Sequence, residues 1–453
     1  MTAEGIPEQP VGDHDRAALR QFLLGLAQGM NASAESVGRI REILTEITAA
    51  YGGDDTDFVV LPTLILVETG KGADGRVAIS SETNVSFRLD QVAALFELVE
   101  QARAGSIAPL DGIRRLNEIG AMRPRFGWAT RTLGHALLTT GLALLLAPTW
   151  QGAIVAFVLG AGIGLLKLVR SPTLQLVLPV AAAFVCAASV FLLAEVVEIG
   201  DPLRLLIAPL VTFLPGGLLT TATVELAAGQ MISGASRLVY GFVQLGLLAF
   251  GILAAGTVIG VGSKSYGPIE ASSFLPWWVA LIGLIVFALG NYLHFSAPAS
   301  TFLWVLIALV VAYAGQWAGT EFIGPMVGGF VGAVAMTLVV FWIAGLRHGA
   351  PSQLTFLPAF WLLVPGATGL VGLTDAVATG SGLATFTAAL VSVMSIALGV
   401  LIGTALFRVA RHGAEEIVQF AVAAPTPEDG EAGAEGRRSL PSWVRPRRRD
   451  RRP

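Results

Sequence analysis

The sequence predicts an all-α polytopic membrane protein with ten transmembrane helices in a 5+5 inverted repeat, preceded by an N-terminal soluble α+β domain. Three observations predict this class. Of the 453 residues, 54% are hydrophobic and only 13% are charged, whereas about 25% of a soluble domain is charged. The charges are segregated, because residues 126–407 carry 7 acids and 7 bases while residues 1–125 carry 18 and 12. A short Pro-Gly pattern also recurs 150 residues along the chain.

The same composition excludes other classes of protein. A stretch as long as residues 126–407 with 14 formal charges must lie mostly in lipid. This excludes a conventional cytosolic enzyme, a disordered protein and a nucleic-acid-binding domain. The sequence contains no nucleophile–base pair, phosphate loop or metal-ligand spacing, so we expect no enzyme activity, no cofactor and no metal. Cys186 is the single cysteine, which rules out an intrachain disulfide.

The first 125 residues predict a short disordered N-terminus, 1–15, and a cytoplasmic α+β domain, 16–125. Apolar residues spaced i, i+3, i+4, i+7 predict two amphipathic helices. The apolar run 58–67, rich in β-branched residues, predicts one buried strand that pairs with a second strand across a Gly-Ala-Asp-Gly turn. The predicted elements are helices 19–30 and 37–47, strands 58–67 and 76–80, and helices 89–102 and 109–119.

Ten apolar stretches follow, each close to the roughly 20 residues that a helix needs to cross a bilayer. Their cores are 128–147, 151–169, 173–195, 203–224, 236–261, 275–295, 299–317, 322–345, 354–374 and 382–407. They predict a first five-span module, 126–262, an extracytoplasmic linker, 263–274, and a second five-span module, 275–412. The basic tail, 413–453, offers little apolar surface to bury, so we expect it to be mostly disordered.

The distribution of basic residues predicts the orientation. Nine arginines and lysines lie at one set of span ends, and two lie at the opposite ends. Since basic residues concentrate in cytoplasmic loops, we expect the N- and C-termini to be cytoplasmic and the number of spans to be even.

An internal repeat is the most informative pattern. Pro215-Gly216 recurs as Pro365-Gly366, and Glu225 corresponds to Asp375 under the same shift of 150 residues. Each half contains five spans, and because this number is odd, the second half has the opposite orientation in the membrane to the first. Inverted repeats with Pro- or Gly-interrupted helices are typical of secondary transporters, in which the interrupted helices form the substrate site.

At these residues the sequence resembles the threonine/serine exporter family. The resemblance covers the paired helices at 24–29 and 37–52, the strand with its central Pro62, the first five spans, and the second module with its Leu-Val-Pro-Gly segment at 363–366. It implies a multi-pass protein of the bacterial inner (plasma) membrane. It also implies export of small hydrophilic metabolites, typically threonine and serine, driven by the proton gradient.

The interrupted helices supply the candidate site residues. For the substrate site and its gate these are Pro215, Gly216, Glu225, Pro365, Gly366 and Asp375. Ionisable groups at bilayer depth are costly and therefore functional candidates, so we name as proton-coupling candidates Glu225, Asp375 and His135. His294 and Asn291 are assigned instead to interfacial anchoring.

Several alternatives stay open at this point. The substrate is a small molecule, most readily an amino acid, and a dicarboxylate such as succinate is the alternative for the same fold. A non-coupled channel and a membrane-anchored sensor are further alternatives. The expected partners are the lipid bilayer and protons, with no nucleic acid, and a homo-oligomer is left open.

Overall fold

The computed structural model describes residues 13–53, 55–70, 75–81, 86–146, 149–169, 172–262, 275–363, 370–374, 377–378 and 382–412. These residues are mostly helical, with one small antiparallel sheet of order β1-β2-β3. The N-terminal elements are α1 (Asp13–Ala32), α2 (Val37–Ala50), β1 (Thr56–Leu61), β2 (Leu64–Thr69), β3 (Arg76–Ser80), α3 (Leu89–Arg103) and α4 (Pro109–Ala121). We refer to residues 13–121 as the N-terminal segment.

The predicted single strand over residues 58–67 is wrong, because this run folds as a two-stranded hairpin. Leu61 of β1 lies opposite Leu64 of β2, which leaves Pro62 and Thr63 as a two-residue turn. Proline has no N–H to donate to a sheet ladder, and its fixed φ suits a turn. The predicted pairing with the strand at 76–80 is confirmed, since β2 pairs antiparallel with β3.

The core of the N-terminal segment continues into the following helices. One face of the sheet packs against α1 and α2, and Phe58, Val60, Ile65 and Val67 belong to the same buried apolar cluster as residues of α1, α2 and α3. The same cluster includes Ala297 and Leu354, which lie far along the chain. The backbone N–H of Leu89 also donates to the carbonyl of Phe295 at 3.2 Å. The N-terminal segment is therefore packed directly on the second half of the chain.

The remaining described helices are long and apolar. They are α5 (Trp128–Leu146), α6 (Trp150–Leu166), α7 (Pro172–Ala194), α8 (Pro202–Leu210), α9 (Gly216–Ala227), α10 (Met231–Ile259), α11 (Val279–His294), α12 (Phe302–Phe322), α13 (Pro325–Ala344), α14 (Ser352–Leu363) and α15 (Gly382–His412). Short 3-10 turns at Val211–Phe213 and Ala299–Thr301 precede α9 and α12.

Five of these helices are long and apolar enough to cross a membrane, namely α7, α10, α12, α13 and α15. A sixth span results if α8 and α9, which meet at an angle of 71°, count as one broken helix. Three further apolar helices, α6, α11 and α14, are shorter. The chain is thus a multi-pass membrane protein.

Helices α5 and α11 pack through a reciprocal set of glycines. A Cβ placed on Gly134 would lie 2.5 Å from the backbone N of His294, and one on Gly141 would lie 2.7 Å from the carbonyl O of Gly283. In turn, a Cβ on Gly290 would clash with the backbone of Leu138. As the residue number increases along α5, the number of the contacting residue on α11 decreases. The two helices therefore run antiparallel in close backbone contact.

Two other helix pairs also approach each other closely at a glycine. A Cβ on Gly251 of α10 would lie 2.6 Å from the carbonyl O of Val180 on α7. A Cβ on Gly399 of α15 would lie 2.5 Å from the carbonyl O of Phe330 on α13. Val180 and Phe330 are 150 residues apart, which is the shift found in the sequence. In both pairs the missing side chain lets two helix backbones approach closely.

Candidate functional site

The break between α8 and α9 is the structural centre of the candidate site. The chain passes from α8 through the 3-10 turn Val211–Phe213 and an extended Leu214 to Pro215, and α9 begins at Gly216. Pro215 has no N–H, so the regular i→i−4 hydrogen bonds cannot run across it. Backbone groups freed at such a break must meet other protein groups or a ligand, because lipid cannot satisfy them.

His135 connects α5 to this break. Its side chain is fully buried, and its Nδ1 lies 2.8 Å from the carbonyl O of Gly160 on α6. Because a carbonyl can only accept, Nδ1 carries the proton of this hydrogen bond. Nε2 lies 3.1 Å from the hydroxyl oxygen of Thr212, in the 3-10 turn. In the neutral tautomer, Nε2 therefore accepts the Thr212 hydroxyl proton, and the imidazole links α6 to the break.

A second histidine lies against the first. His294, the last residue of α11, is buried, and its ring centroid is 4.8 Å from that of His135 in an edge-to-face arrangement. Its Nδ1 donates to the carbonyl O of Arg131 at 3.0 Å, and Arg131 Nε donates back to the carbonyl O of His294 at 3.4 Å. The sequence analysis assigned His294 to the membrane interface, whereas the structure buries it against α5.

Lys167 brings a positive charge to the same place. It caps the C-terminal end of α6, and its ammonium nitrogen lies 4.9 Å from the centroid of the Phe213 ring. Arg131 lies one helical turn before His135 on α5 and exchanges hydrogen bonds with His294. We refer to Arg131, His135, Lys167 and His294 as the basic cluster.

Polar atoms without hydrogen-bond partners lie one helical turn from the histidines. Within the described part of the chain, the Thr132 hydroxyl and the Asn291 Nδ2 are buried and unpaired. Thr132 precedes His135 by one turn on α5, and Asn291 precedes His294 by one turn on α11. Residues three apart share a helix face, so both groups lie on the faces that carry the basic cluster. Unpaired buried donors are unfavourable by about 1–3 kcal/mol each, which suggests that a ligand or water pairs with them.

Glu225 lies away from the break, at the far end of α9. Only 1% of its surface is exposed, and its Oε2 is 3.2 Å from Nε of Arg237 on α10. Its Oε1 accepts a hydrogen bond from the backbone N–H of Val37 at 3.1 Å. Val37 is the first residue of α2, where helix N–H groups lack internal partners and favour a negative charge. Glu225 thus joins α9 and α10 to the N-terminal segment.

The turn before α2 also contacts the second half of the chain. The Glu35 carboxylate accepts a hydrogen bond from the side-chain amide of Gln353, at the start of α14. Burial raises the pKa of the Glu35 carboxyl above its usual 4.5, although the hydrogen bonds from Gln353 and from the Ser36 N–H oppose the rise. Residues 35–37 therefore touch both α9 and α14, and we refer to them as the docking turn.

The second Pro-Gly pair cannot be compared with the first directly. Pro365, Gly366 and Asp375 lie outside the described residues. The preceding helix, α14, approaches the first break, because a Cβ on Gly217 would lie 3.9 Å from Cε1 of Phe360. Trp361 of α14 also packs against Phe295, with ring centroids 4.7 Å apart. Helix α14, which precedes the second Pro-Gly pair in the sequence, thus borders the first break.

The structure brings some predicted site residues together and separates others. His135 contacts the break that contains Pro215 and Gly216, through Thr212. Glu225 is instead part of the contact with the N-terminal segment. Sequence reasoning did not assign Lys167 or His294 to the site. In the described part of the chain, no group of three or more His, Cys, Asp or Glu residues could hold a metal ion.

Comparison with known proteins gives one match. Residues 21–259, just over half of the chain, match the family model ThrE, described as a threonine/serine exporter. This range runs from α1 to the end of α10, and it includes the break, the basic cluster except His294, and Glu225 with its partners. No curated protein and no solved structure matches the chain.

Proposed function

The chain belongs to the threonine/serine exporter family, and from this premise we propose that it is a secondary transporter. It exports small hydrophilic metabolites, most readily threonine and serine, and the proton gradient drives the export. The observation that carries the proposal is the broken helix α8–α9, whose break meets polar and charged side chains inside an apolar bundle. Interrupted helices of this kind hold the substrate in many secondary transporters.

We propose that the ten spans form a 5+5 inverted repeat. The packing of α5 on α11 supports this, because Gly134 and Gly141 correspond to Gly283 and Gly290 with the same spacing of seven residues. Gly134 meets the α11 backbone beyond Gly290, whereas Gly141 meets Gly283. The first glycine of each helix thus lies near the second glycine of the other helix. A two-fold axis perpendicular to two antiparallel helices produces this pattern. An axis in the membrane plane relates the halves of an inverted repeat.

The proposed orientation keeps the N-terminal segment and both termini in the cytoplasm of a bacterial cell. Three contacts of the N-terminal segment support it. They join Val37 to Glu225, Glu35 to Gln353 and Leu89 to Phe295. All three membrane partners lie at span ends that the basic residues predict to be cytoplasmic. Arg131 and Lys167 of the basic cluster also lie at predicted cytoplasmic span ends, so the cluster is on the side from which export begins.

We further propose that Glu225 acts as the cytoplasmic gate, with Asp375 as its counterpart in the second half. One oxygen of Glu225 accepts the Val37 N–H, and the other lies 3.2 Å from Nε of Arg237 as an ion pair that is not hydrogen-bonded. This supports a gate held by an ion pair more than it supports a freely titrating proton acceptor. Of the two described proton candidates, Glu225 and His135, it is His135 that contacts the break, and we assign the coupling proton to it.

Transport by the purified protein in proteoliposomes tests these roles. Thr212→Val removes the hydroxyl that His135 bonds and should slow gradient-driven threonine efflux at least about fivefold, because a buried imidazole nitrogen then lacks its partner. Thr257→Val is the matched control, since the Thr257 side chain is exposed on α10 and bonds only its own helix. Equal efflux by the two variants would reject the break as the site of transport.

A further inference from the structure

We propose that the basic cluster binds the carboxylate group of the transported metabolite, with Lys167 supplying the charge. This inference rests on the proposed function, because it assigns the chemistry of the same site. It adds the class of group recognised and two residues, Lys167 and His294, that the sequence did not assign to the site.

The charge balance at the break supports an anionic ligand. Lys167 and His135 contact the 3-10 turn, and among the described residues no carboxylate pairs with Lys167. The carboxylates that are closest in sequence to the break are used elsewhere, since Asp201 caps α8 and Glu225 pairs with Arg237. Lys167 is half-buried, and an ammonium group that is partly withdrawn from water gains stability from an anion beside it. A bound carboxylate would supply that anion.

The unpaired donors agree with this assignment. The Asn291 amide nitrogen can only donate, and it is buried without an acceptor in the described structure. The Thr132 hydroxyl, equally unpaired, can donate as well. A carboxylate has two oxygens that together accept up to about four hydrogen bonds. In the proposed site it would pair with Lys167 and with these donors from α5 and α11, whereas a neutral amide offers one, uncharged acceptor oxygen.

The proposed carboxylate site lies next to Thr212, in the turn between α8 and α9. Lys167 lies over Phe213 and His135 bonds Thr212, so both groups contact the 3-10 turn that joins the two halves of the broken helix. A carboxylate held by Lys167 contacts this turn directly. Binding would therefore be sensed at the break itself, and not through distant helices.

Pairs of acids and amides test the proposal on the full chain in lipid nanodiscs. The probes are L-threonine with L-threoninamide, and succinate with succinamide, and the readout is thermal stabilisation of the protein. Stabilisation grows with ligand concentration relative to Kd, so it measures binding independently of transport. The wild-type protein should bind at least one acid about tenfold or more tightly than its amide, since a charged hydrogen bond is stronger than a neutral one. If neither acid binds, or if each amide binds equally well, the proposal is wrong.

Substitutions at Lys167 test whether this residue is the one that binds the carboxylate. Lys167→Gln should weaken binding of the acid by about 10-fold or more and remove the preference over the amide, whereas Lys167→Arg should keep the preference. Arg347→Gln is the matched control, because Arg347 is an exposed base near a predicted cytoplasmic span end. An unchanged acid preference in Lys167→Gln would overturn the role of Lys167. If acids bind but no substrate is transported, the proposed function fails while the carboxylate site stands.

Discussion

The ion pair between Glu225 and Arg237 gives the sharpest prediction about how the N-terminal segment is held. Glu225→Gln keeps the shape of the side chain but removes its charge. Arg237 is only 8% exposed, and within the described structure its Nη2 has no hydrogen-bond partner. The variant thus leaves a buried guanidinium without its carboxylate. Removing one partner of a buried ion pair is unfavourable by about 3–5 kcal/mol, and we expect a loss of this size in the free energy of unfolding.

The same substitution should loosen the docking turn. Glu225 accepts the Val37 N–H with a charged oxygen, and a hydrogen bond to a charged group contributes about 1.5–3 kcal/mol, more than one to a neutral group. In Glu225→Gln, the amide proton of Val37 should therefore exchange with solvent faster than in the wild-type protein. Proteolysis of the N-terminal segment should also become faster, because its hold on α9 is weaker.

Reversible unfolding in mixed micelles and hydrogen exchange measure the two effects. The double variant Glu225→Gln/Arg237→Gln removes both charges, and it should recover part of the lost stability because no unpaired charge is then buried. Glu321→Gln is the matched control, since Glu321 is exposed at the end of α12, and it should change stability by no more than about 0.5 kcal/mol. The reasoning is refuted if Glu225→Gln behaves like this control and Val37 keeps its protection.

Three further predictions follow from other parts of the structure. Gly290→Val should disrupt the packing of α5 on α11 and lower the yield of folded protein, whereas Gly246→Val, which meets nothing within 4 Å, should not. Because burial raises the pKa of Glu35, the folded state gains stability as the pH falls through that raised value and loses it as the pH rises. Glu35→Gln should remove this dependence above pH 4.5, measured as unfolding midpoints across pH. Cysteine at the exposed position Gly120 should resist an impermeant thiol reagent in intact cells, while cysteine at Val196, 78% exposed, should react; the reverse pattern would reject the topology.

The elements of the N-terminal segment follow closely from local sequence patterns. The apolar periodicity that predicts helices at 19–30 and 37–47 is reproduced by α1 and α2. The prediction of one strand over residues 58–67 was wrong because these residues favour a strand throughout, and only Pro62 indicates the turn. Hydrophobic pattern sets the type of element, whereas a two-residue turn depends on backbone geometry at one position.

The close contact between α5 and α11 through glycine was not predicted from the sequence. The sequence analysis named the repeated Pro-Gly pattern and its shift of 150 residues, and the glycine contacts of α10 and α15 repeat at nearly that shift. The glycines that join α5 to α11 went unnoticed, although Gly134 and Gly141 recur at Gly283 and Gly290 with the same spacing. Comparing glycine spacings between the two halves would have found them.

The site itself could not be assembled from the sequence. His135 and His294 are separated by more than 150 residues, and no periodicity places one ring against the other. Glu225 reads as a loop or gate acid in the sequence, because nothing local shows that Val37 and Arg237 reach it. Contacts between distant segments depend on how the helices pack, and local patterns do not specify that packing.

Efflux of radiolabelled substrates from proteoliposomes tests the central claim, that this chain exports threonine- and serine-like metabolites through the α8–α9 break. The purified full chain would be reconstituted with an imposed proton gradient, and flux would be compared for threonine, serine, leucine and succinate, with Thr212→Val beside the wild-type protein. The account predicts gradient-dependent flux of threonine and serine that exceeds that of leucine and falls in the variant. Flux of none of these compounds, or flux that neither the gradient nor Thr212→Val alters, would contradict it.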